Sequence, residues 1–260
     1  MEKVFSTRRG SGQPLVLVHG FCEDTRIWET IAPQLASFCE VVCVDLPGFG
    51  QTPLAENANP ETIEDMADRL AHTLRAEGLE KSIVIGHSLG GYVTLAMAER
   101  HPELLSGFGL FHSTAYADTD EKKQNRLKQA DFVTNNGVVP FVEVLIPGLF
   151  AKSQPHDELL VQSLAIAKEC SPQGIINALL AMRLRRERLD VLQNAKIPVL
   201  VIAGAEDALI PAEVSSYQAS LVERCQFTLF EKSGHMGQLE EPLKSIATIK
   251  QFVEFCAIAK

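Results

Sequence analysis

The stretch Ile83-Val84-Ile85-Gly86-His87-Ser88-Leu89-Gly90-Gly91 constrains this chain more than any other. Three β-branched residues run straight into a turn that has glycines two before and two after a serine. Tyr92, Leu95, Ala96 and Glu99 then follow at helical spacing. A strand that passes through one sharp turn into a helix forces the turn residue into a strained backbone, and the flanking glycines avoid the clashes a side chain would cause. The serine hydroxyl is thereby thrust out at the carboxyl end of a sheet. The helix N-terminus beneath it offers free N–H groups and a positive dipole end to a developing anion. A glycine-rich turn that merely packs helix on strand is the plainer alternative. A phosphate loop is a second one, and it fails because no Gly-Lys-Ser/Thr closes the turn.

The same rhythm runs through the chain. Leu15–Val18, Val41–Val44 and Gly107–Phe111 are short apolar runs of the kind buried on both faces of a parallel sheet. Between them, Ile63, Met66, Ala67, Leu70 and Leu74 repeat at helical spacing with Gly78 as a stop signal, and Trp28, Ile31 and Leu35 mark another helix face. The rhythm breaks after Phe111: residues 113–191 read as helices only, with Ser171-Pro172 a good helix start. It resumes with strands at Val199–Ile202 and Cys225–Phe230 and a last helix from Pro242 to Ala257. The expected fold class is α/β, a mostly parallel central sheet flanked by helices. Residues 1–112 and 192–260 would form the core and 113–191 a helical cap insertion. Phe132, Phe141, Leu145, Phe150, Ile175, Ile176 and Leu179 make that insertion too apolar for a free linker. It is expected to roof the site, with Phe141 and Ile176 facing the substrate.

Charge and cysteine content exclude some classes. The 260 residues carry a formal net charge of −9, a poor match for nucleic acid and for anionic membranes. No run approaches the ~20 apolar residues of a membrane span, and the opening Met1-Glu2-Lys3-Val4-Phe5-Ser6 lacks the apolar stretch of a signal peptide. The six cysteines (Cys22, Cys39, Cys43, Cys170, Cys225 and Cys256) show neither zinc spacing nor a C-x-x-C pair. They read as reduced thiols of a cytoplasmic protein.

A serine hydroxyl is a weak nucleophile without a base, itself oriented by an acid. Of seven histidines, His235 lies in a loop after the Cys225–Phe230 strand, where such sheets gather their sites. Asp207 lies just after the Val199–Ile202 strand, so the order is Ser88, Asp207, His235, each behind a strand. Glu206 is adjacent, but side chains alternate in direction near a strand end, so both acids should not reach one imidazole. Asp118 and Asp120, after the earlier strand, remain an alternative source of the acid.

With these motifs the chain resembles the α/β-hydrolase superfamily, most closely its small, capped, esterase-like members. His19-Gly20-Phe21 resembles the family's H-G-x loop, and by that match the backbone N–H groups of Phe21 and Leu89 would form the oxyanion hole. Asp45-Leu46-Pro47-Gly48-Phe49-Gly50-Gln51-Thr52 matches a family turn. It is no dinucleotide fingerprint, because Pro53 stands where the third glycine would be. Members that open epoxides or displace halides carry aspartate at the nucleophile position, whereas serine here points to acyl transfer. The resemblance implies hydrolysis of an ester-like bond of a small molecule through an acyl-enzyme on Ser88, with no cofactor and no metal. A C–C bond hydrolase or a perhydrolase on the same triad, and a non-turnover ligand receptor, are the alternatives. His112 ends the Gly107–Phe111 strand and is expected, with Ser113, at the substrate pocket. His87 is assigned to packing and Cys22 to a neighbour of the site. Arg183, Arg185, Arg186 and Arg188 read as a solvated helix C-terminus, with carboxylate binding the alternative.

Overall fold

The computed structural model describes residues 2–56 and 60–258. Seven strands form one sheet: β1 (Ser6–Arg9), β2 (Pro14–Val18), β3 (Glu40–Val44), β4 (Ser82–His87), β5 (Leu105–Phe111), β6 (Val199–Gly204) and β7 (Cys225–Phe230). Their order is β1-β3-β2-β4-β5-β6-β7. All neighbours are parallel except β1, which pairs antiparallel with β3. Strands β4 and β6 are buried along their whole length, as their unbroken apolar runs require. Edge strand β1, Ser6-Thr7-Arg8-Arg9, has no apolar run to betray it, and its charged end suits an exposed sheet edge.

Eleven α-helices are described: α1 (Ala32–Leu35), α2 (Ile63–Ala76), α3 (Leu89–Arg100), α4 (Asp120–Asn136), α5 (Val138–Leu145), α6 (Asp157–Lys168), α7 (Pro172–Leu184), α8 (Leu189–Gln193), α9 (Ala212–Ser220), α10 (Gly237–Glu240) and α11 (Pro242–Ile258). Trp28, Ile31 and Leu35 are all buried but do not share one helix. A 3₁₀ turn at Thr25–Trp28, capped by Asp24, ends before α1 begins with Pro33 in its first turn. As expected at Ser171-Pro172, the Ser171 hydroxyl accepts from the Gly174 N–H at 2.9 Å and starts α7.

Sheet order places the site. β3 lies on one side of β2 and β4 on the other, so the winding direction reverses between β2 and β4, and a crevice opens beyond their carboxyl ends. The chain between β5 and β6 is helical, α4 to α8. Among the polar links that bind this segment to the rest are two made by its buried side chains Asn177 and Arg188. Asn177 on α7 exchanges both amide hydrogen bonds with the backbone of Glu61, at 2.8 and 3.1 Å. Arg188, 2% exposed, pairs with Glu99 on α3 at 3.0 Å and with Glu64 on α2. Arg188 is therefore not part of a solvated helix end. Among the described residues no helix is long and apolar enough to cross a membrane.

Candidate active site

Ser88 sits between β4 and α3 with φ 48° and ψ −111°, the left-handed strain expected of the turn. A Cβ on Gly86 would collide with the Gly90 carbonyl, and one on Gly90 with the carbonyl of Val18, so neither position tolerates another residue without shifting backbone. The turn is pinned by the Ser88 N–H donating to Phe111 O at 3.0 Å and by the Ser113 hydroxyl donating to Ser88 O at 2.7 Å. Ser88 is half-buried and lines a cavity of about 520 Å³.

His235 lines the same cavity from the loop after β7. Its backbone is held on both sides: the N–H donates to Leu149 O at 2.6 Å, and the carbonyl accepts from His87 Nε2 at 2.8 Å. Its Nδ1 lies 2.8 Å from Asp207 Oδ2. Since that carboxylate can only accept, Nδ1 carries the proton and Nε2 keeps its lone pair. Nε2 is buried and has no partner in the protein. Asp207 is oriented by its other oxygen, which accepts from the N–H groups of Leu209 at 2.8 Å and Ile210 at 3.0 Å. Burial alone would raise the Asp207 pKa. The facing imidazoles of His235 and His112 outweigh it and hold the group well below the usual carboxylate range.

The other acids are held by other partners, although Asp118 lines the same cavity. Glu206 binds Ser153 at the surface. Asp118 is ion-paired with Arg126 at 3.1 Å and Arg185 at 2.8 Å, and Asp120 is exposed. Leu89 directly follows Ser88, and Phe21 lines the same cavity as Ser88. Leu89 is the first residue of α3, so its N–H has no acceptor within the helix. Phe21 lines the cavity, its ring edge-on to Phe49 and to Phe141.

The four residues expected at the substrate pocket, His112, Ser113, Phe141 and Ile176, are not among those lining the cavity. His112 has φ 49° and is fully buried. The reversal at the end of β5 turns its ring under the site, where Gly204 and Gly237 leave room for it. There its Nε2 accepts from the Gly237 N–H at 3.2 Å, and its Nδ1 faces Asp207 Oδ2 at 3.4 Å without hydrogen-bond alignment. Phe141 is 6% exposed and packs on Phe21, while Ile176 packs against the core beneath α7. The wall is made instead by residues that include Tyr92, Tyr116, Arg126, Leu145, Leu149 and Ile210. Cys22 is buried, which pushes its thiol pKa well up and makes it a poor nucleophile.

His112, Asp207 and His235 bring ligand atoms within 4.8 Å of one another, close enough for three ligands of one ion. Their hydrogen bonds argue for a different use. His112 Nε2 is taken by Gly237, Asp207 Oδ1 by two N–H groups, and Asp207 Oδ2 by His235 Nδ1, with His112 Nδ1 3.4 Å from the same oxygen.

Residues 15–249 match the family described as the alpha/beta hydrolase family. The fold superposes on a thermophilic esterase from Thermogutta terrifontis with a TM-score of 0.92 and 30% identity, covering 97% of this chain and 93% of that one. An esterase from Exiguobacterium antarcticum, 21% identical over 96% of this chain and 95% of its own, shares the fold with a TM-score of 0.87. In sequence, the pimeloyl-[acyl-carrier protein] methyl ester esterase of Aeromonas hydrophila is 28% identical over 257 residues, 95% of this chain and 97% of its own. With a family match that spans nearly its whole length, the chain belongs to the alpha/beta hydrolase family.

Proposed function

We propose that the chain hydrolyses a carboxylic ester of a small molecule through an acyl-enzyme on Ser88, with His235 as base and Asp207 as its orienting acid. One observation carries this reading. His235 is tied to Asp207 through Nδ1, its Nε2 is buried and unpaired, and His235 and Ser88 line the same cavity. A lone pair kept free in that position is what a general base needs.

The steps follow from the geometry. Ser88 Oγ attacks the ester carbonyl as His235 Nε2 takes its proton. Negative charge develops on the carbonyl oxygen, where the N–H groups of Phe21 and Leu89 would receive it. His235 then gives the proton to the departing alcohol. Water, deprotonated by the same imidazole, releases the acid and restores Ser88. Asp207 stays ionised throughout and stabilises the imidazolium. The helices of residues 113–191 act as a roof in this reading, since Leu145, Leu149 and Met182 come to the cavity from them. No disulfide joins the cysteines among the described residues, which fits a reducing compartment, and we place the protein in the cytoplasm.

The test is labelling with a fluorophosphonate together with turnover of short p-nitrophenyl esters. One label per chain, lost in Ser88→Ala with the fold intact, is expected. Labelling that survives Ser88→Ala, or a labelled protein that turns over no ester, would overturn the reading.

A further inference from the structure

Helix α4 breaks the usual rule for a helix that covers a core. Lys122, Asn125, Arg126 and Gln129, spaced i, i+3, i+4, i+7, share one face, and that face lines the active-site cavity. An apolar stripe would normally occupy such a position. Arg185, just past the end of α7, joins them on the wall, its guanidinium 4.0 Å above the ring of Tyr92.

The charges on this wall do not cancel. Asp118 bridges the two arginines, taking Arg185 on Oδ1 at 2.8 Å and Arg126 Nε on Oδ2 at 3.1 Å. Asp118 thus orients both guanidiniums yet neutralises only one. Lys122 has no carboxylate partner among the described residues. Glu23, also on the wall, is matched by its own partner His87 at 3.0 Å. Two positive charges remain, in a chain whose net charge is −9. Polar groups are also left waiting. Arg185 already donates from Nη1 to Met182 O at 2.8 Å and from Nη2 to Tyr116 O at 3.1 Å, but its Nε, on a side chain only 4% exposed, is buried without a partner; Gln129 Oε1 is a buried, unpartnered acceptor. A buried donor left without an acceptor is unfavourable, and a ligand that supplies the acceptor relieves that cost. Leu145, Leu149, Ile210 and Val214 give the rest of the cavity an apolar lining.

Resting on the ester-hydrolase reading of Ser88, we propose that the substrates are anionic esters: a carboxylate seats against Lys122, Arg126 and Arg185 while the apolar remainder lies along Leu145, Leu149 and Ile210. Arginine's planar fork suits a carboxylate, and the field of the wall would draw such a substrate inward.

The experiment compares matched esters that differ only in charge. Monomethyl adipate against dimethyl adipate places the charge in the acyl part; 4-acetoxybutyrate against butyl acetate places it in the alcohol part. In at least one pair the anion should show kcat/KM higher on the order of tenfold at low salt, and the preference should shrink as salt is added. Arg126→Gln and Lys122→Gln, at partly exposed and exposed positions, should each reduce it. Preference for the neutral member in both pairs, or a preference untouched in the Arg126→Gln/Lys122→Gln double variant, would overturn the proposal. Ser88→Ala protein separates this claim from the ester-hydrolase reading. In calorimetry it should bind the favoured anion more tightly than its neutral partner although it turns neither over. Such binding with no turnover even in wild type would support the anion site and sink the hydrolase reading.

Discussion

His87 donates from Nε2 to the backbone carbonyl oxygen of His235, 2.8 Å away. Its Nδ1 donates to Glu23 Oε2 at 3.0 Å, and the same oxygen accepts from the Gly20 N–H at 2.6 Å. Both ring nitrogens face groups that only accept, so His87 is an imidazolium beside an ionised Glu23. Burial opposes both charges, but each partner's charge prevails: His87 is shifted up and Glu23 down. One buried pair thus fastens together the loops that carry Phe21, Ser88 and His235. The side chains are 1% and 3% exposed. Removing one partner strands the other charge, so Glu23→Ala should cost about 3–5 kcal/mol in urea unfolding. Glu23→Gln, which keeps an acceptor, should cost less. Equal stability of Glu23→Ala and wild type would mean that the pair holds nothing.

The acid assignment is tested by two neighbouring substitutions. Asp207→Asn keeps the volume but offers an amide where His235 Nδ1–H needs an acceptor, so the unwanted tautomer is favoured. The loss in kcat should be on the order of 10³–10⁴, the scale known for the same change in the serine-protease triad, with little change in binding. Glu206→Gln should remain near wild type, because Glu206 touches only Ser153 and its neighbours on the surface. Full activity in Asp207→Asn would leave His235 without its acid.

The core of the fold was legible because parallel strands announce themselves as apolar runs, and the sheet end that holds Ser88 follows from the elbow glycines. The acid and base loops were readable for the same reason, since Asp207 and His235 follow two such runs. The substrate wall was not. His112 looked like a pocket residue because it ends a strand, yet a positive φ turns it under the site. Such a reversal leaves no mark in hydrophobic periodicity. Nothing in the order of Lys122, Asn125, Arg126 and Gln129 marks a cavity wall, and only the packing of α4 shows that this partly exposed face lines one. Arg188 and Asn177 were obscure because their partners, Glu64, Glu99 and Glu61, are far away in sequence.

His112 makes stability depend on pH. Burial pushes its pKa down to about 4, despite the nearby Asp207 carboxylate. The unfolded chain protonates near 6.5 and the folded protein only near 4, so below 6.5 the unfolded state binds the extra proton. Stability is therefore lost as pH falls from about 6.5 towards 4, by up to about 3 kcal/mol. His87 does not blur this window. Its raised pKa gives a contribution already complete below 6.5, and Asp207 and Glu23, both shifted down, lose theirs only at lower pH. Urea unfolding at pH 6.5 and pH 5 measures the effect. His112→Gln, which can still accept from the Gly237 N–H, should be much less sensitive between these values. An equal slope in both proteins would assign the pH dependence elsewhere.

Two apolar residues from the same helix should behave differently. Phe141 is buried and meets Phe21 edge-on at 6.1 Å, but it is not on the cavity wall. Leu145, one turn later on α5, is. Phe141→Ala leaves a large void between α5 and the loop that carries Phe21, and should destabilise by about 3–5 kcal/mol. By loosening that loop it should lower kcat/KM for short and long acyl esters alike. Leu145→Ala enlarges the cavity instead, so its effect should depend on the substrate. Longer acyl chains should gain on shorter ones by roughly 1–3 kcal/mol in relative kcat/KM, the usual scale of hydrophobic pocket changes. A p-nitrophenyl ester series from acetate to octanoate, run on both variants beside their unfolding curves, separates the two roles. If Phe141→Ala shifted chain-length preference while Leu145→Ala scaled all substrates equally, the wall would have been assigned to the wrong side chain.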